Sequence, residues 1–293
     1  MTYDVGGEIT GKHQPAVLGE FPDAYGLAPS CYLSPDFHAL EIEHIFRNQW
    51  LCVGRVDEVA NPGDFFTVEV LDEPLIVVRD QDGAVHVHSA ICKHRAMKVA
   101  SGAGNTRSFI CPYHAWTYAL DGSLAGAPEM DRSPGFDASR CGLSSIRHEV
   151  WEGFLFINFD SEAEPLGPSL AGLSAIARNY DLANMKTVRS LPFEFDCNWN
   201  WKLMCDNFIE PYHHIGAHLK SLESILPARR STTEDTDGPY TVVTMRYRSG
   251  KAPADDATDE GPYLSVVEGL TAEERGNFVL IHVYPSTLIA LYT

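Results

Sequence analysis

The sequence predicts an α+β protein in which an antiparallel, β-rich segment is set inside a larger region of helices and strands. Three observations carry this. Over residues 51–159, short apolar runs alternate with turn signals at Asn61-Pro62-Gly63, Asp80-Gln81-Asp82-Gly83 and Asp121-Gly122, the pattern of short strands joined by tight turns. On both sides of that segment apolar residues recur at helical spacing. Residues 240–248 and 278–292 then return to strand-like composition.

The elements follow in order. The first twenty-five residues contain Gly and Pro and are expected to form an irregular arm. Ser34-Pro35-Asp36 starts a helix, with Ser34 as N-cap and Pro35 in the first turn; Phe37, Leu40, Ile42, Ile45 and Phe46 extend it toward Trp50. The β-rich domain occupies residues 50–160 and closes on Gly153-Phe154-Leu155-Phe156-Ile157-Asn158-Phe159, a buried strand by composition. Residues 162–168 read as a polar linker, 170–180 as helix, 187–197 as extended chain and 199–220 as helix. Residues 251–262 form an acidic, Pro-flanked loop.

At 293 residues the chain can bury the cores of two domains. Its apolar fraction of 44% is ordinary. The formal net charge of -18 argues against nucleic acid and anionic membrane surfaces as partners. Seven irregularly spaced cysteines do not suggest a disulfide framework. The opening Met-Thr-Tyr-Asp-Val-Gly-Gly-Glu lacks the basic and apolar parts of an export signal. Residues 278–292, interrupted by His282, Pro285 and Ser286, are too short to span a bilayer. A cytoplasmic location is expected.

Two residue pairs carry the chemistry of the β-rich domain: Cys92-Lys93-His94 and, after sixteen residues, Cys111-Pro112-Tyr113-His114. Each offers one thiolate and one imidazole. Two Cys and two His can hold a [2Fe–2S] cluster with both histidines on one iron, an arrangement that raises its reduction potential. The same four donors suit tetrahedral zinc, although a single residue between Cys92 and His94 is short for a zinc pair. Each pair follows an extended apolar stretch, which places the ligands on two loops leaving strands. Pro112 stiffens the second loop, and Trp116 is positioned to shield the site from water.

A second constellation runs from Asn200 to His218. On a straight helix Asp206, Glu210 and His213 share one stripe, whereas His213 and His218 point apart. Pro211 and Gly216 favour a distorted turn, and such a turn brings His213 and His218 toward one metal. Two histidines plus a carboxylate with open positions is the ligand type of non-haem Fe(II) oxygenases. An ordinary polar helix is the alternative.

Cys92-x-His94 and Cys111-x-x-His114, with Ala115-Trp116-Thr117-Tyr118 and Asp121-Gly122 following, resemble the Rieske motif of ring-hydroxylating oxygenases. Ala96 stands where that family often has Gly. Asp206-Asn207-Phe208-Ile209-Glu210-x-x-His213-x4-His218 is similar to the family's mononuclear-iron motif. The resemblance implies an antiparallel Rieske domain over 50–160. It implies a helix-grip (START-like) catalytic domain formed by 161–293, incomplete at its C-terminal end, with the arm and helix of 1–49. It implies a terminal oxygenase whose cofactors are a [2Fe–2S] cluster and Fe(II). Electrons come from NAD(P)H through a reductase, with or without a ferredoxin, and dioxygen is inserted into a small organic substrate, an aromatic ring in the main expectation. His213 and His218 become iron ligands, Asp206 and Asn207 neighbouring catalytic residues. Glu210 becomes the acid that bridges two metal centres across a subunit boundary in a homotrimer, with or without a beta subunit. Glu rather than Asp at this point occurs in relatives that oxidise quaternary ammonium compounds, so C–N cleavage of a betaine-like substrate is the alternative; an electron-transfer protein without oxygenase activity is the other.

The family's third iron ligand, an acid on a long late helix, has no match among the acids after His218, and the 293-residue chain is expected to hold the cluster well and mononuclear iron poorly. Met204, Phe208, Leu222, Tyr284 and Leu288 are candidate substrate contacts. His86 and His88 read as strand residues flanking the cluster loop, and Cys205 as a buried thiol.

Overall fold

Three helices of seven or more residues and fourteen strands, with shorter helical turns between them, make up the residues described by the computed structural model, which are 27–188, 197–250 and 267–292. The expected arm, residues 189–196 of the expected extended stretch and the acidic loop lie outside them. The helices are α1 (Pro35–Glu41), α2 (Ala171–Ala177) and α3 (Trp201–Ile209). The first ten strands are β1 (Leu51–Arg55), β2 (Asp64–Val70), β3 (Glu73–Arg79), β4 (Val85–Ser89), β5 (Ala103–Asn105), β6 (Phe109–Ile110), β7 (Thr117–Tyr118), β8 (Leu124–Gly126), β9 (Arg147–Trp151) and β10 (Phe154–Asn158). The last four are β11 (Ser231–Thr233), β12 (Tyr240–Arg246), β13 (Asn277–Val283) and β14 (Thr287–Leu291). All pairings are antiparallel.

The chain divides into two units, Gln49–Leu191 and Met1–Asn48 with Pro192–Thr293. The first holds three sheets, ordered β1-β10-β9, β4-β3-β2-β5 and β6-β7-β8. Two of its hairpins close on two-residue turns with both residues at positive φ: Glu152-Gly153 (47° and 80°) and Leu71-Asp72 (53° and 64°). Such turns match the right-handed twist of the flanking strands. Residues 161–191, placed by the sequence reading with the catalytic domain, group with this unit. Their anchors are polar: Trp151 Nε1 donates to Ser174 Oγ at 2.8 Å, and the Leu166 N–H to Glu149 Oε2 at 3.0 Å. The Arg55 guanidinium reaches the carbonyls of Leu182 and Met185 at 2.8 and 2.9 Å. Ile76, Val78, Phe109, Tyr118 and Leu120 build an apolar core that also takes in Cys92 and Cys111.

In the second unit α1 begins as expected: Pro35 follows the Ser34 cap, whose Oγ accepts the Phe37 N–H at 3.3 Å. Beyond Glu41 the chain widens into a π turn over Ile42–Phe46. Residues 278–292, read as one stretch, form a hairpin in the sheet β11-β12-β13-β14. Phe208 and Ile209 of α3 pack against Val243, Met245, Tyr247 and Leu280 of that sheet and its flank. Glu41 is 4% exposed. It accepts Trp201 Nε1 at 3.1 Å and pairs with Lys202. The Lys202 ammonium lies over the rings of Tyr32, Phe37 and Trp201 at 5.3, 5.5 and 5.2 Å. This clamp ties the start of α3 to α1. No described helix is long and apolar enough to cross a membrane.

Candidate functional site

The two Cys/His loops are built alike. The Cys92 N–H donates to the Met97 carbonyl at 2.9 Å and the Cys111 N–H to that of Trp116 at 2.8 Å; the Cys92 and Cys111 carbonyls accept from Ala96 and Ala115, each at 3.0 Å. Ala96 and Ala115 sit at φ of 52° and 56°. That left-handed conformation favours Gly and costs an alanine about 1–2 kcal/mol, which explains why Gly is common where Ala96 stands.

The loops turn both thiols inward, each 2% exposed, and both imidazoles outward. The His94 and His114 ring centroids are 4.6 Å apart, and His94 stacks on Trp116 at 4.9 Å with 8° between planes. Trp116 is buried, in the shielding position the sequence suggested. The Tyr118 hydroxyl lies 3.1 Å from Cys92 Sγ and accepts the Lys93 N–H at 3.1 Å. Burial opposes ionisation of Cys92, but hydrogen bonds from Tyr118, the His94 and Arg95 amides and Cys111 hold its pKa below the usual thiol value. Partial desolvation, with His114 and Arg95 nearby, lowers the pKa of His94. Paired thiols on the core side and paired imidazoles on the solvent side fit a [2Fe–2S] cluster ligated asymmetrically.

The second constellation departs from a straight helix. α3 ends at Ile209; Glu210 is extended at φ −108° and ψ 102°, and Pro211–Ile215 form a 3₁₀ turn. Asp206, Glu210 and His213 therefore do not share one helical stripe, because Pro211 cannot continue the ladder. The break produces the distorted turn the sequence pointed to. The His213 and His218 ring centroids are 5.2 Å apart, with buried His214 4.9 and 5.6 Å from them. Glu210 caps the turn: one carboxylate oxygen accepts the His213 N–H at 3.0 Å, and the other lies 3.3 Å from His213 Nδ1. His214 turns its Nδ1 to the Leu226 carbonyl at 3.2 Å. Among the described residues no three His, Cys, Asp or Glu side chains are arranged around a single metal ion. His213 and His218 supply two donors of the expected type, with Glu210 behind one of them.

A cavity of about 650 Å³ opens beside Asp206 and Glu210. None of the five candidate substrate residues lines it. Phe208 faces the core; Met204 borders a separate cavity with Trp199 and Leu203; Tyr284 borders another, of about 540 Å³, with Glu41 and Trp201. Leu222 is exposed, and Leu288 lies on the β14 face opposite buried Thr287 and Ile289. They scatter because α3 presents Met204 and Phe208 on faces other than that of Asp206. Asn207 is exposed on α3. Arg229, which reads in the sequence as half of a solvated basic pair and is exposed, lines the 650 Å³ cavity together with Ser231, Thr233 and Thr241; no local motif marks the three hydroxyl residues. Cys205 is buried, its thiol pushed up to about 11 by burial and by Asp206.

Fold and donor sets together give one unit a site of two cysteines and two histidines, and the other a site of two histidines. Residues 49–143 match the Rieske [2Fe-2S] domain, and residues 182–293 match the catalytic domain of the ring hydroxylating alpha subunit. The chain belongs to the Rieske oxygenases, among their oxygenase subunits. It is 34% identical over 225 residues to the glycine betaine monooxygenase oxygenase subunit of Chromohalobacter salexigens, covering 76% of this chain and 48% of the relative. It is 34% identical over 213 residues to the carnitine monooxygenase oxygenase subunit of Acinetobacter baumannii, covering 72% and 56%, and 34% identical over 199 residues to the chloroplastic choline monooxygenase of Spinacia oleracea, covering 66% and 45%. The chain thus spans about half the length of the curated relatives it matches. A crystal structure of a quaternary ammonium Rieske monooxygenase with an inhibitor superposes with a TM-score of 0.75 at 26% identity, covering 90% of this chain and 66% of that one. Naphthalene 1,2-dioxygenase from Rhodococcus sp. gives 0.76 at 27%, covering 88% and 63%. The curated relatives named here act on quaternary ammonium compounds, so the expectation of aromatic hydrocarbon catabolism gains no support from them.

Proposed function

We propose that this chain is the terminal oxygenase component of a multicomponent system that oxidises a small quaternary ammonium compound at a C–N bond. Electrons originate from NAD(P)H and arrive through a reductase, with or without a ferredoxin. Cys92, His94, Cys111 and His114 would hold the [2Fe–2S] cluster, and His213 and His218 the Fe(II). When bound, the cluster supplies one-electron transfer and the iron supplies dioxygen activation.

The single observation that carries the reading is Glu210 and its surroundings. Its carboxylate holds both the backbone and the ring of His213, which orients an imidazole ligand and fixes its tautomer. Its side chain is 46% exposed, leaving an oxygen edge able to accept an imidazole N–H from another subunit. His114 is exposed and is the group proposed to meet it, in a homotrimer with or without a beta subunit. A solved quaternary ammonium monooxygenase described as transferring electrons between subunits supports that arrangement. Asp206 and Glu210 border the same cavity and give it the negative charge that suits a cation.

The test is product identification with a reductase, labelled dioxygen and a panel of betaines and aromatic acids. Labelled oxygen in an aldehyde released together with an amine supports the proposal. A labelled ring hydroxyl, with the betaines untouched, refutes it in favour of ring oxidation.

A further inference from the structure

The 650 Å³ cavity carries charge of both signs. Asp206, Glu210 and Tyr212 form one part of its lining; Arg229, Ser231, Thr233 and Thr241 form another. Strand register explains the three hydroxyls. Ser231 pairs with Met245 and Thr233 with Val243, and paired residues share a sheet face. Val243 and Met245 lie in the core under α3, so Ser231, Thr233 and Thr241, two residues before Val243, stand on the face that α3 covers.

Arg229 sits in the turn Ala228–Arg230. Both neighbours are tied down: the Ala228 N–H donates to Glu223 Oε2 at 2.9 Å, and Arg230 to the carbonyls of Tyr247 and Arg248 at 3.1 and 3.0 Å. Arg229 is exposed at the rim of the cavity, and its guanidinium makes no hydrogen bond or ion pair with any described residue. The Ser231 Oγ beside it is buried without a hydrogen-bond partner among the described residues. A guanidinium with no partner among the described residues, lining the same cavity as an unsatisfied hydroxyl, is a site for a carboxylate, which a guanidinium can take through two parallel N–H donors.

We infer that Arg229 is a specificity-determining residue, which selects a zwitterion: a quaternary ammonium compound bearing a carboxylate. The carboxylate pairs with Arg229 and the Ser231, Thr233 and Thr241 hydroxyls, and the ammonium lies toward Asp206 and Glu210. This rests on the proposed function and names the substrate class within it. Glycine betaine fits. Choline, with a hydroxymethyl group in place of the carboxylate, leaves the guanidinium unpaired.

The experiment is calorimetric titration of the cluster-containing protein with glycine betaine and, separately, with choline, for the wild type, Arg229→Met and Arg229→Lys. The wild type is expected to prefer glycine betaine. Arg229→Met is expected to lose about 10- to 100-fold in affinity for it, the worth of a charge-assisted contact, with choline affinity unchanged; Arg229→Lys is expected to recover part of the loss. Equal loss of both ligands in Arg229→Met, or no loss of either, overturns the inference while leaving the quaternary ammonium reading intact. A folded wild type that binds neither ligand overturns that reading and the inference with it.

Discussion

His88 ties stability to pH. It is 1% exposed, on β4, where its Nε2–H donates to the Leu120 carbonyl at 3.1 Å. Its Nδ1 is buried with no partner among the described residues. The His86 ring stacks on it at 5.6 Å, and a methyl added at Gly122 would meet the ring at 2.6 Å. Protonation therefore buries a second N–H donor with no acceptor and no room to turn. Burial is the main cause, with His86 and His148 adding to it against the Leu120 carbonyl and Asp121, and the pKa falls from 6.5 to about 4. The unfolded chain takes up a proton below the ordinary histidine pKa while the folded chain does not, so stability falls as pH drops through that window. At about 1.4 kcal/mol per tenfold difference in proton affinity, the loss between pH 7 and pH 5 is about 2 kcal/mol, rising to about 3 kcal/mol at pH 4. Asp57, Asp64, Asp80 and Asp121 have lowered pKa values, so their stabilisation is lost only at still lower pH and does not overlap the upper part of the window. The assay is urea unfolding followed by tryptophan fluorescence at pH 7, 6 and 5, for the wild type and His88→Gln. The glutamine keeps a donor for Leu120 but cannot titrate, so its stability should be flatter over this range by about 2 kcal/mol. Parallel curves would refute the reasoning.

Three further outcomes are expected. Tyr118→Phe removes the hydroxyl beside Cys92 Sγ and should lower the cluster's reduction potential by about 50 mV, read by a redox titration of the paramagnetic reduced state; an unchanged potential excludes a role for this bond. Lys202→Met strands the buried Glu41 carboxylate and should destabilise the protein by about 3 kcal/mol, with Lys202→Met/Glu41→Leu less damaging than the single variant in chemical denaturation. Replacing Leu71-Asp72 by Asn-Gly relieves two left-handed residues and should raise stability by about 1 kcal/mol, seen as a later denaturation midpoint with an unchanged slope.

What the sequence revealed and what it hid divide along physical lines. The Cys/His pairs were readable because each is a local loop whose donors lie within four residues. The N-terminus of α1 was readable because Ser34 and Pro35 act over one turn. Pro211 announced a break, yet not its form, since the capping of His213 by Glu210 depends on a side-chain conformation. The Leu71-Asp72 turn was hidden because Leu71 is a residue that left-handed turns disfavour, and Asp72 alone gives no Asn-Gly or Asp-Gly signal. The grouping of residues 161–181 with the β-rich unit was hidden because their anchors, such as Ser174 to Trp151, are single hydrogen bonds with no periodic signature. The hydroxyl wall was illegible for a further reason: which face Ser231 and Thr233 present follows from pairing with β12, a contact no local pattern encodes.

Cys92 and Cys111 sit among Ile76, Phe109 and Leu120 in the apolar interior of their unit, so occupancy by the inorganic centre and closure of that interior are coupled. Iron starvation of cells making this protein should accordingly show up as poorer yield and faster proteolytic clearance, and not merely as paler material of normal abundance.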